Sequence, residues 1–519
     1  MEATETLTRE SNGLLARSRG LIDKAIDLEF TKPATFAALA VVYIVSRVPW
    51  LNMGYGTDPD AWRVALTARY LWDHGDYYPS RLPGYPLHEF VTALFIKGGW
   101  IATNLSTVLI SLVGIYLFAS LAKKLDLENR GALTIAFAFA PLLWINSVMT
   151  MDYMWTLTFI MGAYLALLHR QPQLAGIVLG VATGFRIASL GMLVPFGLLL
   201  WRTDQRKDIR PFAVTALATA FVAYTPVLMR YGFDFLNFYD QSVPLAEVIK
   251  RVGKDGLGIV GALAVLGALG LSWQRIRHLP GDMIRDPHVL TWVAVVVVFM
   301  LSYTQLPHEI AYLIPLFPFG FFLLSRYLTR GMLAAVLAVI VLAGFVDITS
   351  PDDTFGITAE TFTSARIGKG MLLSDVETLR NQRDFADELH DVATKPGKLQ
   401  RPAVVITGFI YPELVMLYYD DLKVGILEDD HEAISQLSDK GRADLLDRDG
   451  LPTITYAWLL EYDAFQRFES EGAHIYYTAD AARSSFAVNG FRPGYFGAMK
   501  LKLSRENPSL GQGTTSTNR

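Results

Sequence analysis

The chain has 519 residues and a formal net charge of −4, with 52% hydrophobic, 12% aromatic and 18% charged residues. Soluble domains sit near a quarter charged, so this balance selects a membrane class, and the absence of a long basic run excludes a nucleic-acid partner. Cysteine is absent, which excludes disulfides, thiolate metal sites and cysteine nucleophiles.

Residues 1–33 carry Arg9, Arg17, Arg19, Lys24 and Lys32 ahead of any apolar run. They read as a cytoplasmic N-terminal segment, not a cleavable secretory signal, and "ATFAALAVVYIVSRVPWL" follows as the first retained span. A helix needs about 20 mostly apolar residues to cross the hydrocarbon core. Further spans are predicted near 103–122, 131–149, 153–169, 211–229, 257–273, 289–305, 310–328 and 332–348, after the first at 34–51. Residues 174–201 are too long for one untilted crossing and contain Gly180, Gly184, Arg186, Gly191 and Pro195. They read as two short helices that enter and return, which gives roughly eleven spans at the usual span length.

This threading puts "AKKLDLENR", "HRQPQ", "RTDQRKDIR", "QRIRHLPGDMIRDPH" and "SRYLTR" inside, as the positive-inside tendency expects. Arg230, Lys250, Arg251 and Lys254 in the 230–256 loop go against it. Residues 52–90 become the first outer loop. Beyond Ile348 the chain changes character, with a polar linker at 349–365 and then no stretch long enough to span. "RPAVVITGF", "PTITYAW" and "AHIYYT" read as buried strands; "LLSDVETLRNQRDFADELHDVA" and "AWLLEYDAFQRFESEG" read as amphipathic helices. The predicted architecture is therefore a multi-span α-helical membrane protein with a C-terminal extracytoplasmic α/β domain at 366–505 and a disordered tail at 506–519.

The densest charged and aromatic stretch is the first outer loop, "YGTDPDAWRVALTARYLWDHGDYYPSRLPGYPLHEF". Asp58 suits a helix N-cap, Pro59 the first helical position and Gly75 the left-handed terminator. Ala61, Val64, Ala65, Ala68, Leu71 and Trp72 share one face, and the two tryptophans suit a membrane surface, so this helix is expected to lie along the outer interface. Asp60 is not needed as a cap; in the first turn it is stabilised as an anion by the helix dipole and suited to accept a proton from a bound hydroxyl. A solvated first-turn acid is the bland alternative. "SRLPGYPLHEF" reads as a stiff turn presenting Arg81, His88 and Glu89 to a pocket.

Other charges fall on the same predicted face. Asp152 lies at the outer junction of two spans, where its alternative is a hairpin cap. Arg186 sits in the middle of the broken pair, suited to grip a phosphate or to form an internal salt bridge with Asp152. His308 and Glu309 stand at the outer mouth of the next hairpin; their adjacency is not a zinc-binding spacing.

Together these features resemble the polytopic C-type glycosyltransferases that use lipid-phosphate-linked sugars, including the protein mannosyltransferases and the lipid A aminoarabinose transferases. "DAWRVALTARYL" is similar to the family's acidic motif after the first span, "GFR" to its arginine after a short membrane helix, and "HEIAYLIPLFP" to its late segment, with Ala311 where an arginine often stands. The resemblance covers roughly residues 34–348 on these motifs. It implies inverting transfer of a sugar from a polyprenyl-phosphate donor to a lipid, glycan or protein hydroxyl, on the outer face of a prokaryotic plasma membrane. Asp60 is the implied base, with Asp58 beside it, and Arg186 with Arg81 the implied cations for the departing phosphate. Asp58, Asp152, Glu89 and His308 would hold hydroxyls or a divalent cation. The main rival is a transporter or lipid flippase with a broken-helix site, and a membrane-anchored binding protein is a third reading.

Overall fold

The computed structural model describes residues 27–233, 245–305, 309–349, 364–394, 403–406, 414, 417–418, 424–427, 454–457, 470, 472, 474–477 and 502–503. Among these residues five helical segments are long and apolar enough to cross a membrane: Pro33–Leu51, Pro86–Lys124, Arg206–Tyr231, Pro287–Thr304 and Ile310–Tyr327. A sixth counts if the pair Val248–Leu257 and Ile259–Leu271, bent by 103°, is one span. Shorter apolar helices cover Arg130–Phe139, Tyr153–Leu168, Pro172–Phe185, Ile187–Arg202 and Arg330–Ala343.

The chain divides into two compact units. One comprises residues 1–52, 85–88 and 100–377; the other comprises residues 53–84, 89–99 and 378–519.

In the first unit, the opening helix Pro33–Leu51 presents Val41, Val42, Val45 and Val48 outward and buries Tyr43 and Arg47. A guanidinium inside an apolar helix requires partners, and Arg47 finds them in neutral groups. Its Nη2 donates to the Ala138 carbonyl at 2.6 Å and its Nε to Ser147 Oγ at 3.3 Å. Its Cζ lies 3.7 Å from the Tyr43 ring centroid and 4.0 Å from that of Trp144.

The span expected at 131–149 is broken into Arg130–Phe139 and Pro141–Asn146. Pro141 lacks an amide hydrogen and forces Ala140 out of the helical region, to ψ 131. The 174–201 segment is interrupted as expected: Pro172–Phe185 ends at Arg186, whose backbone is extended, and a 3-10 turn Ile187–Met192 leads into Leu193–Arg202. Helix Pro172–Phe185 lies close along Arg206–Tyr231 because Gly176, Gly180 and Gly184 form one stripe. A Cβ on Gly180 would stand 2.7 Å from the Ala216 carbonyl oxygen, and one on Gly184 2.7 Å from Ala223 Cβ. Phe118, stacked between Phe137 at 4.2 Å and Phe322 at 5.3 Å, anchors another part of the core.

The last predicted span, 332–348, ends early. Helix Arg330–Ala343 gives way to strand β1, Val346–Thr349, which pairs antiparallel with β2, Arg366–Lys369. The reason lies in Asp347, whose carboxylate accepts the Ile259 and Val260 amides at 2.8 and 2.9 Å, capping the helix Ile259–Leu271.

In the second unit, helix Pro59–His74 is capped by Asp58 and closed by Gly75 at φ 67. Five further strands, β3 (Ala403–Ile406), β4 (Val424–Leu427), β5 (Ile454–Ala457), β6 (His474–Tyr477) and β7 (Lys502–Leu503), form one sheet ordered β4-β5-β3-β6-β7. Its first four strands run parallel and β7 antiparallel to β6. Strands β3, β5 and β6 fall within the apolar runs read from the sequence; β4 and β7 were not anticipated. The helix expected at 372–393 is Met371–Thr394. The amphipathic helix expected at "AWLLEYDAFQRFESEG", most of the N-terminal segment, the linker and the tail lie largely outside the described residues.

Candidate active site

Two charged clusters occupy the positions singled out by the sequence, one in each unit. In the second unit, the Asp58 carboxylate accepts the Asp60 amide at 2.9 Å, so Asp58 does act as the N-cap, and this bond fixes the first turn. The Asp60 carboxylate is gripped from two sides. Its Oδ2 lies 2.7 Å from Arg81 Nε, and its Oδ1 lies 3.7 Å from Arg63 Nη1. Asp60 keeps 22% of its side chain exposed, against 11% for Arg81 and 4% for Arg63. A partly open carboxylate flanked by two sheltered guanidinium groups is an anion-receptive arrangement.

The interfacial reading of this helix needs correction at Trp62. Trp72 is half exposed, but Trp62 is fully buried and its indole N–H donates to the Gly56 carbonyl at 2.9 Å. An indole that satisfies its one donor inside the protein has no need of the membrane boundary.

His88 and Glu89 also differ from expectation. Both belong to the first turn of helix Pro86–Phe95 and both are buried. Glu89, in the second unit, accepts the Tyr77 hydroxyl and the Ser80 amide, the latter at 2.6 Å. It is a satisfied internal carboxylate that holds the turn preceding Arg81. His88, in the first unit, sits edge-on to Trp155 and Phe185 at 6.4 and 6.5 Å, among aromatic rings and not on a loop surface.

The first unit carries the second cluster. Asp152 is fully buried and does not cap helix Tyr153–Leu168 with its side chain. Arg186 donates from Nε to Asp152 Oδ2 at 2.7 Å and reaches Oδ1 with Nη2 at 3.5 Å, so the internal salt bridge is formed. The guanidinium is also enclosed by three tyrosine rings, Tyr153 at 4.3 Å, Tyr312 at 4.6 Å and Tyr85 at 5.2 Å. Cation–π attraction and the carboxylate together compensate the desolvation of the charge. The helix break at Arg186 lets this happen, because an extended residue directs its side chain differently from its helical neighbours.

Glu309 accepts the Ala311 amide at 3.2 Å and caps the 3-10 turn Ile310–Leu316, which delivers Tyr312 to Arg186. His308 lies outside the described residues. Among those residues, no group of three or more His, Asp or Glu side chains is placed to hold a metal ion.

Sequence reasoning missed Arg63 and the three tyrosines. Arg63 follows Asp60 by three positions on a helix, a spacing that brings side chains together, and this signal was present. Tyr153 and Tyr312 stand beside flagged acids in "MDYMW" and "HEIAYLIP", but nothing local announces that they enclose a distant arginine.

Neither protein-family models nor curated protein sequences match the chain. Its fold does match solved structures. The crystal structure of ArnT from Cupriavidus metallidurans in the apo state aligns with a TM-score of 0.52 at 15% identity, covering 88% of this chain and 94% of that one. The same protein bound to undecaprenyl phosphate aligns with a TM-score of 0.53 at 14% identity over the same shares. The chain is thus a predominantly helical integral membrane protein with an ArnT-like fold.

Proposed function

We propose that this protein transfers a sugar from a polyprenyl-phosphate-linked donor to an acceptor hydroxyl at the extracytoplasmic face of a prokaryotic plasma membrane. The observation that carries this reading is the fold shared over 88% of the chain with a protein solved bound to undecaprenyl phosphate. The sequence resemblance to C-type glycosyltransferases supports it independently. The acceptor is a lipid, a glycan or a protein hydroxyl.

In this reading Asp60 is the general base. It takes the proton from the acceptor hydroxyl as that oxygen attacks the anomeric carbon. The bond from that carbon to the phosphate oxygen breaks, and the lipid phosphate leaves with the electron pair, so the anomeric centre inverts. Asp58 fixes the turn that carries Asp60. Arg81, with Arg63 beside Asp60, supplies positive charge against which the phosphate departs.

The resting ion pair between Asp60 and Arg81 gives the mechanism an order of events. A donor phosphate competes for the guanidinium at Arg81 Nε, now 2.7 Å from Asp60, and draws it off the carboxylate. The carboxylate is then available to the acceptor hydroxyl. Base activation thereby follows donor binding, which disfavours action before the sugar is in place. Asp152 neutralises Arg186, Glu89 holds the turn before Arg81, and Glu309 holds the turn that bears Tyr312; His308 would hold a sugar or acceptor hydroxyl.

Arg81→Gln tests this order. It is expected to raise the KM for the lipid-linked donor and to lower kcat, because donor capture and charge stabilisation share one group. An Arg81→Gln enzyme with unchanged kinetics would contradict it.

A further inference from the structure

We infer that Tyr418 is a positioning residue for the Asp60 turn, which makes the chain beyond residue 378 a working part of the reaction centre. The inference rests on the assignment of Asp60 as general base.

The segment Met53–Thr57 leads directly into the Asp58 cap and belongs to no helix or strand. Three of its carbonyls are nonetheless tied down. The Tyr418 hydroxyl donates to the Met53 carbonyl at 3.3 Å, the Trp62 indole to Gly56 at 2.9 Å, and Gln382 Nε2 to Thr57 at 3.3 Å. Two of these donors are more than 300 positions away along the chain, with separations of 365 and 325 residues.

The Tyr418 ring also packs on Trp62, with centroids 4.8 Å apart, and Tyr55 closes the other contact at 5.3 Å. Trp62 is fully buried and is two residues past Asp60 on the same helix. Pressure on that indole therefore sets the rotation of the helix and the direction of the Asp60 side chain.

Gly54 shows how closely the parts fit. Its φ is +106, and a Cβ there would stand 2.5 Å from the Tyr418 hydroxyl and 2.9 Å from the Trp62 ring. Only glycine lets the loop pass between these two rings.

Such a clamp bears on catalysis because a base must meet its proton within a narrow range. A displacement of ~1 Å at a reacting group costs on the order of 100-fold in rate. Tyr418 touches neither substrate nor reacting atoms; it acts through Trp62 and Met53. Its loss should move kcat and leave donor binding alone.

The test uses the full-length protein in lipid nanodiscs, with a radiolabelled polyprenyl-phosphate sugar as donor. Tyr418→Ala is expected to lower kcat about tenfold or more while the donor KM stays within about twofold. Tyr418→Phe, which keeps the ring on Trp62, should recover most of the rate; a merely structural role would show the loss as lowered melting temperature with normal kcat in the folded fraction. If Asp60→Asn is inactive and Tyr418→Ala turns over normally, the inference is overturned and the base assignment stands. If Asp60→Asn still transfers sugar, the base assignment falls and the inference with it. Should Tyr418→Ala not fold, Gln382→Ala decides, since it removes a single hydrogen bond from the same loop. A lowered kcat at unchanged melting temperature supports the clamp, and an unchanged kcat overturns it.

Discussion

Asp60 and Asp152 are both acids beside arginines, yet their surroundings give them different sensitivities. Asp60 keeps 22% of its side chain exposed, so water reaches the ion pairs it makes with Arg63 and Arg81, and an Asn amide oxygen in its place can still accept from Arg81 Nε. Asp60→Asn should therefore lower turnover by on the order of 10²–10⁴-fold while the melting temperature in detergent stays nearly unchanged. Asp152 is fully buried against Arg186. Asp152→Asn leaves that buried guanidinium without an opposite charge, and a buried charge stripped of its charged partner costs about 3–5 kcal/mol. A clear fall in melting temperature is expected, and the double variant Asp152→Asn/Arg186→Gln should recover part of it. The sequence made Asp60 legible through helix punctuation, since Asp58 already filled the cap. It left Arg186 with two readings, and only coordinates join it to Asp152, 34 residues away in the chain.

At the scale of elements, the interruptions matter more than the helices. The break at Arg186 was legible because glycines and a proline crowd an overlong apolar run. The 103° bend after Leu257 was not, because its stabilising partner is Asp347, 88 residues from Ile259 and itself hidden at the end of a predicted span. Periodicity cannot reveal a cap supplied from such a distance. The glycine stripe of helix Pro172–Phe185 yields a prediction at this scale. Gly180→Ala should destabilise the folded protein by about 1–3 kcal/mol, because the new methyl meets backbone on helix Arg206–Tyr231. Gly197→Ala, where a Cβ would meet no atom within 4 Å, is the matched control and should melt like the parent protein.

For the molecule as a whole, composition and hydropathy revealed the membrane class and the positions of most apolar helices, and short motifs pointed toward the fold that the match to ArnT then supported. At 14–15% identity to ArnT the sequence signal is confined to short motifs, although the backbone follows the same course. Residues 53–84, which bear Asp58 and Asp60, belong to one compact unit with residues 378–519. The distribution of basic residues predicts a sidedness that is directly testable, because the chain has no cysteine to interfere. A single cysteine replacing exposed Asp76 should react with a membrane-impermeant maleimide in intact cells. One replacing exposed Lys207 should react only after permeabilisation. The reverse pattern would invert the topology.

Bond cleavage separates a transferase from a flippase most directly. The protein would be reconstituted in sealed vesicles with a polyprenyl-phosphate sugar labelled with tritium in the sugar and phosphorus-32 in the phosphate, together with a membrane extract as acceptor source. The account predicts that the two labels part: phosphorus stays with the lipid, tritium moves to acceptor, and Asp60→Asn abolishes the separation. Labels that remain on one molecule while that molecule crosses the bilayer would contradict it.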